Sequence, residues 1–247
     1  MVDFNPFTLE NKTVLVTGAS SGIGRSIAVA CSKMGAKLII TGRNEQKLDD
    51  TLSLLHPNSH VKVICDLTDK NSVQLMVEGL PKLDGVVHCA GIGQRLLCRQ
   101  LSEDNVDIVL GVNFKAPVLL QGELLKQKKI NKACSIVFMA SIASWVPSVG
   151  NAVYSASKAA IASYAKCLSL ELAPRLIRVN CISPGMVWTD FIKYESILES
   201  QLKEDESKYP LKRYGTPEDI AYLAIYLLSD ASSWMTGSNV KISGGEG

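Results

Sequence analysis

The chain has 247 residues, 47% hydrophobic and 20% charged, enough for one large α/β domain that buries about 70% of its unfolded surface without staples. Lys and Arg number 26 against 24 Asp and Glu, a net charge of +2 with the signs interspersed, which argues against a nucleic-acid partner and against a polybasic membrane patch. Seven scattered cysteines without a C-x-x-C pair, and only three histidines, give neither a disulfide framework nor a metal site, so the thiols read as small hydrophobes of a cytoplasmic protein.

Residues 1–10 hold no apolar stretch of signal-peptide length, and the apolar run 221–228 is far short of a membrane span. From residue 13 onward, continuous apolar runs alternate with helical patterns. Strands are predicted at 13–17, 37–41, 61–65, 85–88, 135–140, 177–182 and 239–242. Helices are predicted at 22–34, 45–55, 70–79, 102–128, 154–173 and 217–228, the last behind a Thr-Pro-Glu start signal. This alternation predicts a single-domain, doubly wound Rossmann-type parallel sheet of about seven strands with helices on both faces. Residues 189–210 break the rhythm, charge-rich and without a strand, and read as a long loop serving as a substrate lid.

Between the first strand and first helix lies Gly18-Ala-Ser20-Ser21-Gly22-Ile23-Gly24. A glycine turn in that setting suits a dinucleotide phosphate, because backbone can approach closely and the helix start offers free N–H groups. The spacing is G-x-x-x-G-x-G rather than G-x-G-x-x-G. After the second strand, Arg43 stands where an acid would bond an adenosine ribose, and a guanidinium there suits a 2′-phosphate, favouring NADP(H). The plainer alternative for Arg43 is a solvated charge opening a loop.

Ser141 follows the fifth strand at its carboxyl end, where open parallel sheets bind ligands. Thirteen residues on, Tyr154 and Lys158 lie one helical turn apart on one face. Such a pair also occurs by chance, as an aromatic packed on a lysine stem. With the serine, the three suit proton transfer coupled to hydride transfer. Lowering a phenol from about 10 to near 7 requires roughly 4 kcal/mol of phenolate stabilisation, for which an adjacent ammonium has the right sign. No histidine follows Ser141 and no G-x-S-x-G surrounds it, so it is not a hydrolase nucleophile.

These residues, with Asp66-Leu67, Ala90-Gly91, Asn113 and the run from Pro184 to Thr189, resemble the short-chain dehydrogenase/reductase family over essentially the whole chain. The resemblance implies that Asp66 and Leu67 hold adenine, Ala90 and Gly91 lie along the cofactor, and Val187 and Thr189 bind the carboxamide side of nicotinamide. It implies that Asn113 holds a water relaying protons from Lys158, or else bonds helix backbone. It implies dimers or tetramers joined through long helices, which small residues such as Ala156 and Ala160 permit.

Within the family the chain looks most like 3-oxoacyl-acyl-carrier-protein reductases of fatty acid biosynthesis. That likeness implies an acyl-thioester substrate and a carrier-protein partner docked near the entrance by Lys132 and Arg175, which also read as solvated charges. A dehydrogenase of a sugar, polyol or steroid is the alternative, followed by a non-catalytic cofactor sensor. Two departures stand out: His88-Cys89 precede Ala90 where the family usually has two asparagines, and Ser243 precedes the paired glycines where an aspartate is common.

Overall fold

A computed structural model describes residues 4–193 and 199–246. In chain order they form β1 (Thr13–Thr17), α1 (Gly22–Lys33), β2 (Lys37–Gly42), α2 (Glu45–Ser53), β3 (Val61–Ile64), α3 (Lys70–Gly79) and β4 (Leu83–His88). There follow α4 (Glu103–Leu110), α5 (Ala116–Lys126), β5 (Ile130–Met139), α6 (Ala152–Leu172) and β6 (Arg178–Pro184). The chain closes with α7 (Asp190–Lys193), α8 (Glu199–Lys208), α9 (Pro217–Leu228) and β7 (Asn239–Ile242). Among the described residues the seven strands make one sheet of order β3-β2-β1-β4-β5-β6-β7, parallel throughout. The order reverses between β1 and β4, and such a reversal opens a crevice at the carboxyl ends of the strands.

The apolar runs work because successive strand residues face opposite sides. Val14, Val16, Leu38, Ile40, Val87 and Val137 pack with α1 and α9, while Leu15, Ile39, Val86, Ile136 and Phe138 pack with α3, α5 and α6. These side chains are buried, so truncating any of them to alanine costs about 2–5 kcal/mol. Helix starts follow their sequence signals. Asn44 and Asp69 accept first-turn N–H groups of α2 and α3, and Thr216 and Asp219 form a capping box on α9 with Pro217 in its first turn.

Two elements differ from expectation. The helix expected over 102–128 is interrupted by a π-helical turn, Gly111–Lys115, between α4 and α5. An extra residue in one turn leaves the apolar periodicity on either side intact and is invisible to it. By length and composition Glu103–Lys126 could cross a membrane; here Val109, Leu120 and Leu124 point into the protein core. The expected loop at 189–210 is largely helical, as α7 and α8, and residues 194–198 of it lie outside the described residues. Helix α8 has one buried apolar residue, Leu202, amid charged ones, so no apolar stripe announces it.

Candidate active site

At the crevice the chain leaves a cleft of about 900 Å³. Its first wall is the β1–α1 turn. Gly18 has φ +65°, and a Cβ there would lie 2.8 Å from the backbone of Ala90; one at Gly24 would lie 2.3 Å from the Gly18 carbonyl. Only glycine permits both approaches, which bring the ends of β1 and β4 together under the start of α1. Ser21 caps α1 without a side-chain bond, so the first N–H groups of that helix are not taken by a capping side chain. Ser20, Ser21, Gly22 and Ile23 border the cleft there.

Arg43 and Asp66-Leu67, at the ends of β2 and β3, border the same cleft. Asp66 accepts both the backbone N–H (2.9 Å) and hydroxyl (2.7 Å) of Thr68, which with the nearby Arg43 cation hold its carboxyl below the usual range. Arg43 is exposed and makes no side-chain hydrogen bond among the described residues. Ala90 and Gly91 follow β4 and line the cleft. They are fixed by a residue that sequence reasoning passed over: the buried Thr17 hydroxyl accepts the N–H groups of Cys89 (3.0 Å) and Ala90 (3.2 Å). A threonine at a strand end just before the glycine turn was the available signal.

Ser141, Tyr154 and Lys158 border one cleft, as their spacing predicts. Ser141 Oγ accepts the Ala143 N–H at 3.1 Å, which leaves its own proton free to donate. Lys158 is 5% exposed, its Nζ donates to the Met139 carbonyl at 2.8 Å, and it stands 5.8 Å from the centre of the Tyr154 ring. Burial pushes its ammonium down to about 8, so near neutral pH it is a cation held against a desolvation cost.

Asn113 stands behind the wall and does not border the cleft. The π turn aims it inward, where Oδ1 accepts the Ile92 N–H (2.8 Å) and Nδ2 donates to the Ile92 carbonyl (2.9 Å) and to Ser157 Oγ (3.1 Å). The amide thus bonds the backbone of the β4 loop rather than that of its own helix. A methyl group on Gly91 would lie 3.3 Å from Asn113 Oδ1 and 3.4 Å from Lys158 Nζ, so both polar atoms stand against the same glycine.

Val187 and Thr189 line the opposite wall, Thr189 close enough that a Cβ on Gly22 would lie 3.3 Å from its methyl. Val187 pairs with Gly215 in a single parallel bridge. Beyond it come Leu202, Asp205, Tyr209, Tyr214 and Glu246, none of them singled out from the sequence. Lys132 and Arg175 are elsewhere. They stand at the amino ends of β5 and β6, the opposite end of the sheet from the cleft, and Arg175 donates to the Ile130 carbonyl at 2.7 Å. Within one chain neither borders the entrance. His88 is a packing residue, stacked on Phe138 at 4.4 Å and bonded to Gln121 at 3.0 Å.

The profile of a family described as enoyl-(acyl carrier protein) reductase matches residues 18–246. The chain belongs to the short-chain dehydrogenase/reductase family. It is an oxidoreductase of that family, working with a nicotinamide cofactor. Its relatives include the 3-oxoacyl-[acyl-carrier-protein] reductase FabG of Rickettsia felis, 37% identical over 96% of this chain and 97% of that one. They also include an NAD-dependent glycerol dehydrogenase of Listeria innocua, 33% identical over 97% and 95%. Among solved structures, a candidate NAD(P)-dependent gluconate 5-dehydrogenase from Beutenbergia cavernae, with bound NADP, superposes with a TM-score of 0.88 at 31% identity, over 98% of each chain.

Proposed function

We propose that this short-chain dehydrogenase/reductase uses NADP(H) to reduce a carbonyl to an alcohol, a 3-oxoacyl thioester being the preferred substrate. The observation that carries the reading is a free hydroxyl, a phenol and a buried ammonium on one cleft, beside a turn only glycine can make. The cleft fits a dinucleotide. Gly18, Ser20, Ser21, Gly22, Ile23 and Gly24 would hold the pyrophosphate at uncapped N–H groups, Arg43 the 2′-phosphate, Asp66 and Leu67 the adenine. Ala90, Gly91, Val187 and Thr189 would line the nicotinamide half.

When bound, the cofactor supplies the hydride. The chain supplies the rest. Ser141 donates its free proton to the substrate oxygen and holds it beside Tyr154, whose hydroxyl gives up the proton that completes the alcohol. Lys158 stabilises the phenolate left behind, and with one N–H committed to Met139 it keeps two for the cofactor ribose and for reprotonation. Asn113 fixes Ile92, and with it the Gly91 wall against which Lys158 rests.

Residues 189–210 act as the substrate lid on a chain that serves as one unit of binding and catalysis. A sugar or polyol is the second reading, carried by the glycerol dehydrogenase relative. The free cysteines suit the cytoplasm. Exposed Ile108, Leu119 and Leu170 on α4, α5 and α6 suit assembly into a dimer or tetramer, which light scattering checks. The deciding experiment follows NADPH and NADH absorbance with acetoacetyl thioester, diketones and keto-sugars. Thioester reduction with NADPH supports the reading, and turnover confined to sugars with NADH overturns it.

A further inference from the structure

We propose that Glu206 is a positioning residue that locks the lid helix α8 to the strand segment lining the nicotinamide half of the cleft, so that lid and cofactor seat together. The inference rests on the cofactor reading above. One carboxylate oxygen, Oε1, accepts both the Trp188 indole N–H at 2.8 Å and the Tyr214 backbone N–H at 2.9 Å. Its neighbour Asp205 accepts the Tyr214 hydroxyl at 2.7 Å, so consecutive acids of α8 grip that tyrosine at both ends. The Trp188 and Tyr214 rings lie 5.2 Å apart.

Trp188 stands between Val187 and Thr189. Its backbone N–H donates to Gly215 at 2.9 Å while Gly215 donates to Met186 at 2.9 Å, so the segment is held at its backbone by Gly215 and at its side chain by Glu206. Thr189 in turn rests against Gly22 of the glycine turn. A short path of hydrogen bonds therefore joins α8 to the segment 186–188. Among its described residues α8 buries one apolar side chain, Leu202. A single leucine offsets little of the conformational entropy of ordering ten residues, so docking of the helix leans on polar bonds, those of Glu206 and Asp205 among them. The two N–H donors also hold the Glu206 carboxyl below its usual range, keeping it the ionised acceptor that the double bond requires.

The test measures dissociation constants of the full-length enzyme for whichever of NADPH and NADH binds more tightly, and for the matching adenosine fragment, 2′-phospho-ADP-ribose or ADP-ribose. Glu206→Ala weakens the whole dinucleotide by about tenfold and leaves the fragment within about twofold, because only the nicotinamide half lies against the locked segment. Glu206→Gln, which still accepts both N–H groups, restores most of the affinity. Trp188→Phe, which keeps a ring and loses one donor, falls between, and carries the test if the alanine variant does not fold. Equal loss for dinucleotide and fragment, no loss for either, or failure of the glutamine to rescue overturns the proposal. If the unmodified enzyme binds neither dinucleotide, the cofactor reading falls and this inference with it.

Discussion

The two walls of the cleft are held by different physics. On the β4–β5–α6 side, Asn113, Ser157 and Lys158 are at most 5% exposed, and their bonds are buried behind the cleft surface. On the lid side, Ile192, Leu202, Tyr209 and Tyr214 form a separate small cluster, tied by half-exposed or exposed acids: Asp205, Glu206, and Glu246 on the Tyr209 hydroxyl. A buried polar network is rigid because any unpaired member is costly. A satellite cluster tied by surface carboxylates opens at a fraction of global stability. On the reading proposed above, proton transfer falls to the buried wall and substrate choice to the wall tied by surface carboxylates.

The largest effect belongs to the rigid wall. Tyr154→Phe lowers kcat by about a thousandfold while the dinucleotide dissociation constant stays within about twofold, measured by steady-state kinetics and fluorescence titration. Retention of most of the rate would break the division of labour between the walls.

The rigid wall also carries a signature in pH. Folding drops Lys158 from 10.5 to about 8, so the unfolded chain holds the proton between those values and the folded one does not. The stability conferred is full above 10.5 and is lost as pH falls to about 8, on the order of 3 kcal/mol. Lys158→Met removes that slope from denaturant titrations of the free enzyme. His88 behaves likewise at acid pH. Burial lowers it from 6.5 to about 4, so stability present above 6.5 falls by about 3 kcal/mol as pH drops through that window, and His88→Asn abolishes the loss.

A smaller effect tests the seam beneath both walls. Gly18→Ala forces a Cβ onto Ala90 and a side chain into φ +65°, lowering stability by about 2 kcal/mol in thermal melts. The smallest prediction concerns the exposed rim. Arg43→Ala raises the KM for NADPH about tenfold and leaves that for NADH unchanged. An equal rise for both would assign the guanidinium to general attraction rather than to a 2′-phosphate.

The strands and the cluster of Ser141, Tyr154 and Lys158 were legible because burial on two faces and spacing along a helix are local properties of the sequence. The carboxylate bonds of α8 were not. Glu206 looks like one more charge in a charged helix, and its partners Trp188 and Tyr214 lie 18 residues before it and 8 after it. Asn113 was legible as a residue but not as a geometry, since the bonds to Ile92 depend on a helical turn whose extra residue leaves no trace in hydrophobic pattern. Lys132 and Arg175 show the converse failure. Matching positions in a sequence say nothing about which end of a sheet they reach.

The π turn carries a consequence of its own. Deleting one residue within 111–115 would return α4 and α5 to one continuous α-helix, and because the wide turn had absorbed the extra residue, the faces on either side would keep nearly the same phase. Leu120 and Leu124 would stay in the core, while Asn113 would lose the wide turn that carries its amide to Ile92. The extra residue thus acts as a local spacer, re-aiming one side chain at a neighbouring loop without disturbing the helix faces that pack on either side.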